Sequence, residues 1–263
     1  EGESLAQQWF GNYVTCKNPN HVWLTKGIAR YFSGLYNANK NGKDEFLLWQ
    51  HAYDQITYFF DWDYGVRQAL VNTDTNNIYN FINSNTPYFH AAAFMRMLHK
   101  ELGETQFKSV IQEYLTTYAS TSVTTENLIT TIEKVTGKPI TWFFDQWVYQ
   151  TGHPIFDVQQ AYDAENKLFT LQVVQTQTFD SLTAYKQTPY FKGKMEIAIN
   201  NKIHQINIEP KKENIFIFSM EEKPKLVNFD YESTWLKQVT FDKSLEDLIY
   251  QIQFDSDVLG RQS

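Results

Sequence analysis

Ser4-Leu5-Ala6-Gln7-Gln8-Trp9-Phe10-Gly11-Asn12 is the stretch from which the fold of this chain is read. Leu5, Ala6, Trp9, Phe10 and Tyr13 recur at i, i+4 and i+8, the stripe of an amphipathic helix. Working outward, apolar spacing predicts further helices over residues 23–36, 44–60 and 88–102, the last stopped by Gly103. Leu128, Ile129, Ile132 and Val135 form another stripe, with Thr124 or Thr125 as N-cap and Gly137 then Pro139 as terminators. Thr141 is placed to cap a last helix carrying Trp142, Phe143 and Trp147 and ending at Gly152. The Asn/Thr-rich stretch 74–85 reads as a loop.

After Gly152-His153-Pro154 the period changes from helical to alternating. Phe156, Val158 and Tyr162 alternate with polar residues, as do Phe169, Leu171 and Val173 beyond the turn-like Asp163-Ala164-Glu165-Asn166. Met195, Ile197 and Ile199 lead into Asn200-Asn201, a hairpin signal, and then Ile203, Ile206 and Ile208. Short strands follow at 215–218 and 226–229, and Leu245, Leu248 and Ile249 suggest a closing helix. The fold class this predicts is α+β and multidomain: a helical part over residues 1–152, a small β-sandwich over 153–238, and a short helical segment over 239–263.

With 42% hydrophobic and 16% aromatic residues in 263, the chain has material for two well-filled cores. Its net charge of -7 disfavours nucleic acid and anionic membranes as partners, since both require a basic footprint. A single cysteine, Cys16, excludes an internal disulfide and is read as a small buried residue. No run approaches the roughly 18 apolar residues of a membrane-spanning helix. Compartment is left open.

The opening motif resembles the active-site helix of the aminopeptidase N-like zinc metallopeptidases (gluzincins of peptidase family M1), which reads H-E-L-A-H-Q-W-F-G-N. Trp23-Leu24-Thr25-Lys26-Gly27-Ile28-Ala29-Arg30-Tyr31 resembles the next family block, W-L-N-E-G-F-A-x-Y. Tyr88-Phe89-His90-Ala91-Ala92-Ala93 falls where the family has Y-x-K-G-A. Trp142 to Trp147 and Gly152-His153-Pro154 are similar to bacterial members at the join to their β-sandwich. The resemblance implies the helical half of a thermolysin-like domain followed by that sandwich.

It also implies a chemistry that these residues no longer carry. In the family, two histidines four apart on one helix face and a glutamate nineteen positions after the second hold Zn²⁺, and the glutamate inside the motif is the general base. Carried over residue by residue, the first ligand position is Glu3, the base is Ser4, the second ligand is Gln7 and the third is Lys26. Tyr88 falls on the tyrosine that steadies the tetrahedral oxyanion. The implied function is a catalytically inactive homologue acting as a binding or scaffold module, with no cofactor where the family would hold zinc. A peptide or protein partner is expected in the old cleft, and the remainder of a longer polypeptide is expected to cover an apolar face on the first helices. The alternative is an active zinc aminopeptidase with an atypical metal site. Lys26 is expected to sit in the metal position and pair with Glu3.

Simpler roles stand beside these. Trp9, Phe10 and Trp23 are expected in the core, as aromatic helical stripes usually are. Ser4 at a helix start is expected to cap rather than act as a nucleophile. His90 is expected to be partly exposed, and His153, before Pro154, to shape a turn.

Overall fold

The computed structural model describes residues 2–72 and 78–262. It is α+β, and it divides into two compact units: Glu1–Gly152 with Asp180–Gln187, and His153–Phe179 with Thr188–Ser263. The loop expected over 74–85 falls partly outside the described residues, and its end is a short helix instead, α5 (Ile78–Asn83).

In the first unit, α1 is short (Gly2–Ala6). Beyond it the hydrogen bonds of Asn12, Tyr13 and Val14 run to the carbonyls of Gln7, Gln8 and Trp9, five residues back, so the turn widens instead of continuing as a helix to Tyr13. Gly11, at φ +147°, then lets the chain reverse into β1 (Val14–Cys16). Widening rotates the stripe: Ala6 and Phe10 are buried, whereas Trp9 is 46% exposed, contrary to its expected place in the core. Cys16 is half-buried, and burial raises its thiol pKa.

The spine of this unit is α2 (Trp23–Asn41), whose Trp23, Leu24, Ile28 and Tyr31 are buried. It crosses α6 (Ala91–Leu102) so closely that a Cβ on Gly27 would lie 2.1 Å from that of Ala91. Trp23 meets Phe94 edge-on at 5.4 Å, and its indole N–H donates to the Thr125 hydroxyl at 3.0 Å. Between α2 and α6 a helical run comprises α3 (Lys43–Phe46), a π turn (Leu47–His51) and α4 (Ala52–Asp63). A second π turn (Thr86–His90) leads into α6. His90 in that turn is buried, its ring 4.7 Å from Tyr58, so the expected partial exposure does not hold.

A helix that the stripe reading passed over, α7 (Glu104–Thr117), buries Phe107, Val110, Ile111 and Tyr114. β2 (Thr121–Val123) pairs in parallel with β1. α8 (Thr125–Thr136) starts in a capping box between Thr124 and Asn127 and ends at Gly137 with φ +68°, as its cap residues suggested. α9 (Thr141–Phe144) and a π turn (Asp145–Tyr149) close the unit. There Thr141 is the first helical residue, and the Glu133 side chain accepts from the Ile140 N–H at 3.0 Å.

The second unit opens at His153, which is buried, and holds two sheets. β3 (Ile155–Asp163), β4 (Leu168–Gln175), β7 (Glu213–Ser219) and β9 (Gln238–Phe241) form one, in the order β7-β4-β3-β9. β5 (Gly193–Ile199), β6 (Lys202–Ile208) and β8 (Val227–Asn228) form the other, in the order β6-β5-β8. Alternation places Phe156, Val158, Leu171 and Val173 inside one sheet and Met195, Ile197 and Ile199 inside the other. Phe156 meets Phe229 edge-on at 5.5 Å, and Trp235 donates to the Lys194 carbonyl at 2.9 Å. Asn200 and Asn201 take φ +48° and +62°, the hairpin turn their sequence signals. Segment 239–263 is not a separate tail: it completes β9 beside β3 and supplies α10 (Leu245–Phe254), capped by Ser244, to the same unit.

Candidate functional site

The residues singled out by the opening motif and its neighbours lie on four pieces of the first unit. α1 carries Glu3 and Ser4, the widened turn carries Gln7, α2 carries Lys26, and the second π turn carries Tyr88. Glu3 and Gln7 are one helical turn apart, with the Gln7 N–H bonded to the Glu3 carbonyl at 2.9 Å. The Gln7 amide also donates to a Glu3 carboxylate oxygen at 3.4 Å. The other Glu3 oxygen accepts a short hydrogen bond from the Tyr88 hydroxyl. The structure therefore brings Glu3, Gln7 and Tyr88 together.

Lys26 does not join them as expected. Its ammonium donates to the carbonyl of Ile82 at 2.6 Å, and among the described residues it forms no ion pair with Glu3. Ile82 stands at the C-terminal end of α5, where carbonyls lack helical partners and carry partial negative charge, so a cation is well placed there. Ser4 is exposed on α1, with no acid–base partner among the described residues that would make it a nucleophile.

Two residues that sequence reasoning did not single out organise the site instead. Arg30, one turn after Lys26 on α2, meets the buried Asp54 of α4 through its Nε and Nη2, both 2.6 Å from one carboxylate oxygen. Its Nη1 reaches the Tyr88 hydroxyl at 3.4 Å, and its guanidinium lies 4.8 Å from the centre of the Tyr88 ring and 4.5 Å from that of Phe89. Gln50 braces the same turn by donating to the Arg30 carbonyl at 2.8 Å. A continuous line Asp54–Arg30–Tyr88–Glu3 results. The signal was present in the i, i+4 spacing of Lys26 and Arg30, but only the packing of α4 against α2 supplies the carboxylate.

The electrostatics follow from burial and this pairing. Desolvation pushes Asp54 up to about 7, against the pull of Arg30 and with Glu3 adding to the rise. Burial disfavours the Arg30 charge, but Asp54 outweighs it and the guanidinium is held charged. Tyr88 is pushed up to about 12, by burial first and by its bond to the Glu3 carboxylate second. A neutral hydroxyl held between a carboxylate and a guanidinium is a structural link, and its proton is committed to Glu3.

Comparison with known proteins gives this geometry its context. The sequence profile described as "Peptidase family M1 domain" matches residues 3–147, more than half of the chain. The chain belongs to peptidase family M1. Similar curated M1 relatives include Aminopeptidase M1-A of Oryza sativa subsp. japonica, 31% identical over 157 residues that make up 59% of this chain and 18% of the relative. Puromycin-sensitive aminopeptidase of Caenorhabditis elegans is 28% identical over 173 residues, 64% of this chain and 18% of its own length. The matched region thus spans less than a fifth of these M1 proteins. In fold the chain is similar to an aminopeptidase A from Legionella pneumophila, solved in complex with aspartic acid: TM-score 0.80, 16% identity, 98% of this chain and 28% of that one.

The residues at the positions assigned to the M1 metal do not fit zinc. They offer one carboxylate, one neutral amide and one ammonium, and an ammonium has no lone pair to give. The carboxylate is already satisfied by Tyr88 and Gln7. Among the described residues no group of three or more His, Cys, Asp and Glu is arranged to replace them.

Proposed function

We propose that this M1-family chain is non-catalytic and serves as a binding or scaffold module, with Glu3, Gln7 and Lys26 as its degenerate zinc positions and Ser4 in place of the general base. The observation that carries the reading is the engagement of Glu3 by Tyr88, itself tied to Arg30 and Asp54. Peptide hydrolysis in a metallopeptidase needs a metal-activated water and a base to take its proton. Here the position of the base holds an alcohol, and the tyrosine assigned to the oxyanion donates its proton to a carboxylate. Side chains that satisfy one another hold a pocket together without ligand, as a scaffold requires. A peptide or protein is the partner class that suits the ancestral cleft.

The test is metal content and turnover on one preparation. Elemental analysis after zinc loading and desalting should find far less than one zinc per chain. Aminoacyl-anilide substrates should show no hydrolysis that a chelator abolishes. Equimolar zinc together with chelator-sensitive cleavage would establish the atypical active enzyme instead.

A further inference from the structure

The connection between β4 and β5 contains a segment, Asp180–Gln187, that belongs to the first compact unit although the chain on either side of it belongs to the second. This segment closes on itself. The Gln187 side-chain amide accepts from the Asp180 N–H at 2.8 Å and donates to the Asp180 carbonyl at 2.7 Å, joining the two ends. The Asp180 carboxylate accepts from the Leu182 N–H at 2.8 Å and turns the chain between them. A short loop whose own side chains tie its ends together is a preformed body that can dock or leave as one piece.

It docks in two places. On residues 66–72, Asp180 pairs with Arg67 at 2.9 Å, the Thr183 hydroxyl donates to the Arg67 carbonyl at 3.0 Å, and the Tyr185 hydroxyl donates to Asn72 at 2.7 Å. Just after the last π turn of the unit, the Thr151 N–H donates to the Lys186 carbonyl at 3.0 Å. Both places are walls of one cavity of about 10 Å³, room for a single water. Val66, Gln68 and Thr151 line it, facing Asp61 of α4 and Thr86 and His90 of the second π turn.

We propose that Asp180–Gln187 is a strap that holds this cavity shut, and that it lifts and frees residues 66–72 without the rest of the unit opening. Its ties are polar, and its one leucine, Leu182, is 78% exposed and adds little apolar burial. Segments held in that way open at the low end of a protein's range of opening free energies. Closure also leaves polar atoms buried: Arg67 Nη1 and Gln68 Oε1 have no hydrogen-bond partner among the described residues, and Arg67 Nε, though close to Asp180, is not aimed at it. Water entering an open seam would satisfy them, so their desolvation opposes closure. The floor is anchored by contrast. Asp61 is buried and accepts from Asn85 at 3.0 Å, and Asn85 stands immediately before the π turn that carries Tyr88. Lifting the strap therefore lets solvent reach the turn that presents Tyr88 to Glu3.

Hydrogen exchange on the 263-residue chain tests this. The Thr151 N–H, bonded to Lys186, reports the strap, and the Val71 N–H, bonded to the Val148 carbonyl at 3.1 Å, reports the segment beneath it. Thr183→Val with Tyr185→Phe removes two ties at nearly constant volume. It should speed exchange of both amides about tenfold or more, with those of α2 and α6 unchanged. Carbodiimide labelling of carboxylates reads the cavity: Asp61 should gain label in the variant, whereas Asp54, buried two turns earlier on the same helix, should not. Tyr185→Phe alone should give the same pattern at smaller amplitude, which keeps the test valid if the double variant folds poorly. Unchanged exchange at Thr151 and Val71 would overturn the proposal. So would a rise shared by α2 and α6, or label on Asp54 together with Asp61, because the strap would then open only with the whole unit.

Discussion

Two sides of α2 are held by different physics. On one side Gly27 admits Ala91 to within a contact that no larger residue would permit, and Trp23, Leu24 and Ile28 are sealed against their neighbours. On the other, one turn apart, Lys26 and Arg30 are polar, and they meet the Ile82 carbonyl and Asp54. Packing tolerates almost no change in volume, because neighbours cannot move independently. A polar site tolerates complete chemical replacement provided every buried charge and donor is satisfied again.

The sharpest way to break this contrast is to leave one of the new charges alone. Arg30→Met strands Asp54 in the interior and should cost about 3–5 kcal/mol in urea unfolding. The double variant with Asp54→Leu should recover much of that loss. If the single variant is nearly neutral, the polar side is not organised by this pair.

Gly27→Ala probes the other side. Its new methyl would collide with Ala91 and should cost about 3 kcal/mol by the same measurement. A cost below that of an ordinary exposed helical substitution would show that α2 and α6 can separate freely.

A more gradual effect comes from pH. The folded-state value of Asp54, about 7, lies above its ordinary 3.8, so between these values the folded chain binds a proton that the unfolded chain does not. Its contribution to stability is therefore fully present below about pH 4 and is lost as pH rises through 7, with a slope of about 1.4 kcal/mol per pH unit within that window. Asp54→Asn should flatten that part of the stability profile, and a profile unchanged by the substitution would remove Asp54 from the account.

Tyr88→Phe should have the smallest effect, about 1 kcal/mol, the net worth of a hydrogen bond between partly exposed groups. If the loss far exceeds that, the line from Asp54 to Glu3 is cooperative rather than a set of separate contacts.

Several elements could be read without coordinates because their signals are local. The Thr124 cap and Gly137 stop of α8 depend on backbone geometry within one turn, as does the Asn200-Asn201 hairpin. The alternation of β3 to β6 reports burial on one face at a time. α7 is equally local in its signal, with Phe107, Val110, Ile111 and Tyr114 at helical spacing. By contrast, the early end of α1, the exposure of Trp9 and the burial of His90 depend on what packs nearby, which periodicity does not encode.

The candidate site divides in the same way. The sequence by itself determined which residues the resemblance singles out: a motif with fixed spacing names its positions, and Glu3, Ser4, Gln7 and Lys26 fall on them whatever the surroundings. Only the tertiary structure decided what these side chains meet. Long flexible side chains such as Lys26, Arg30 and Glu3 choose among partners brought from distant parts of the chain, so Asp54, Tyr88 and the Ile82 carbonyl became their partners through helix packing, which no local pattern records.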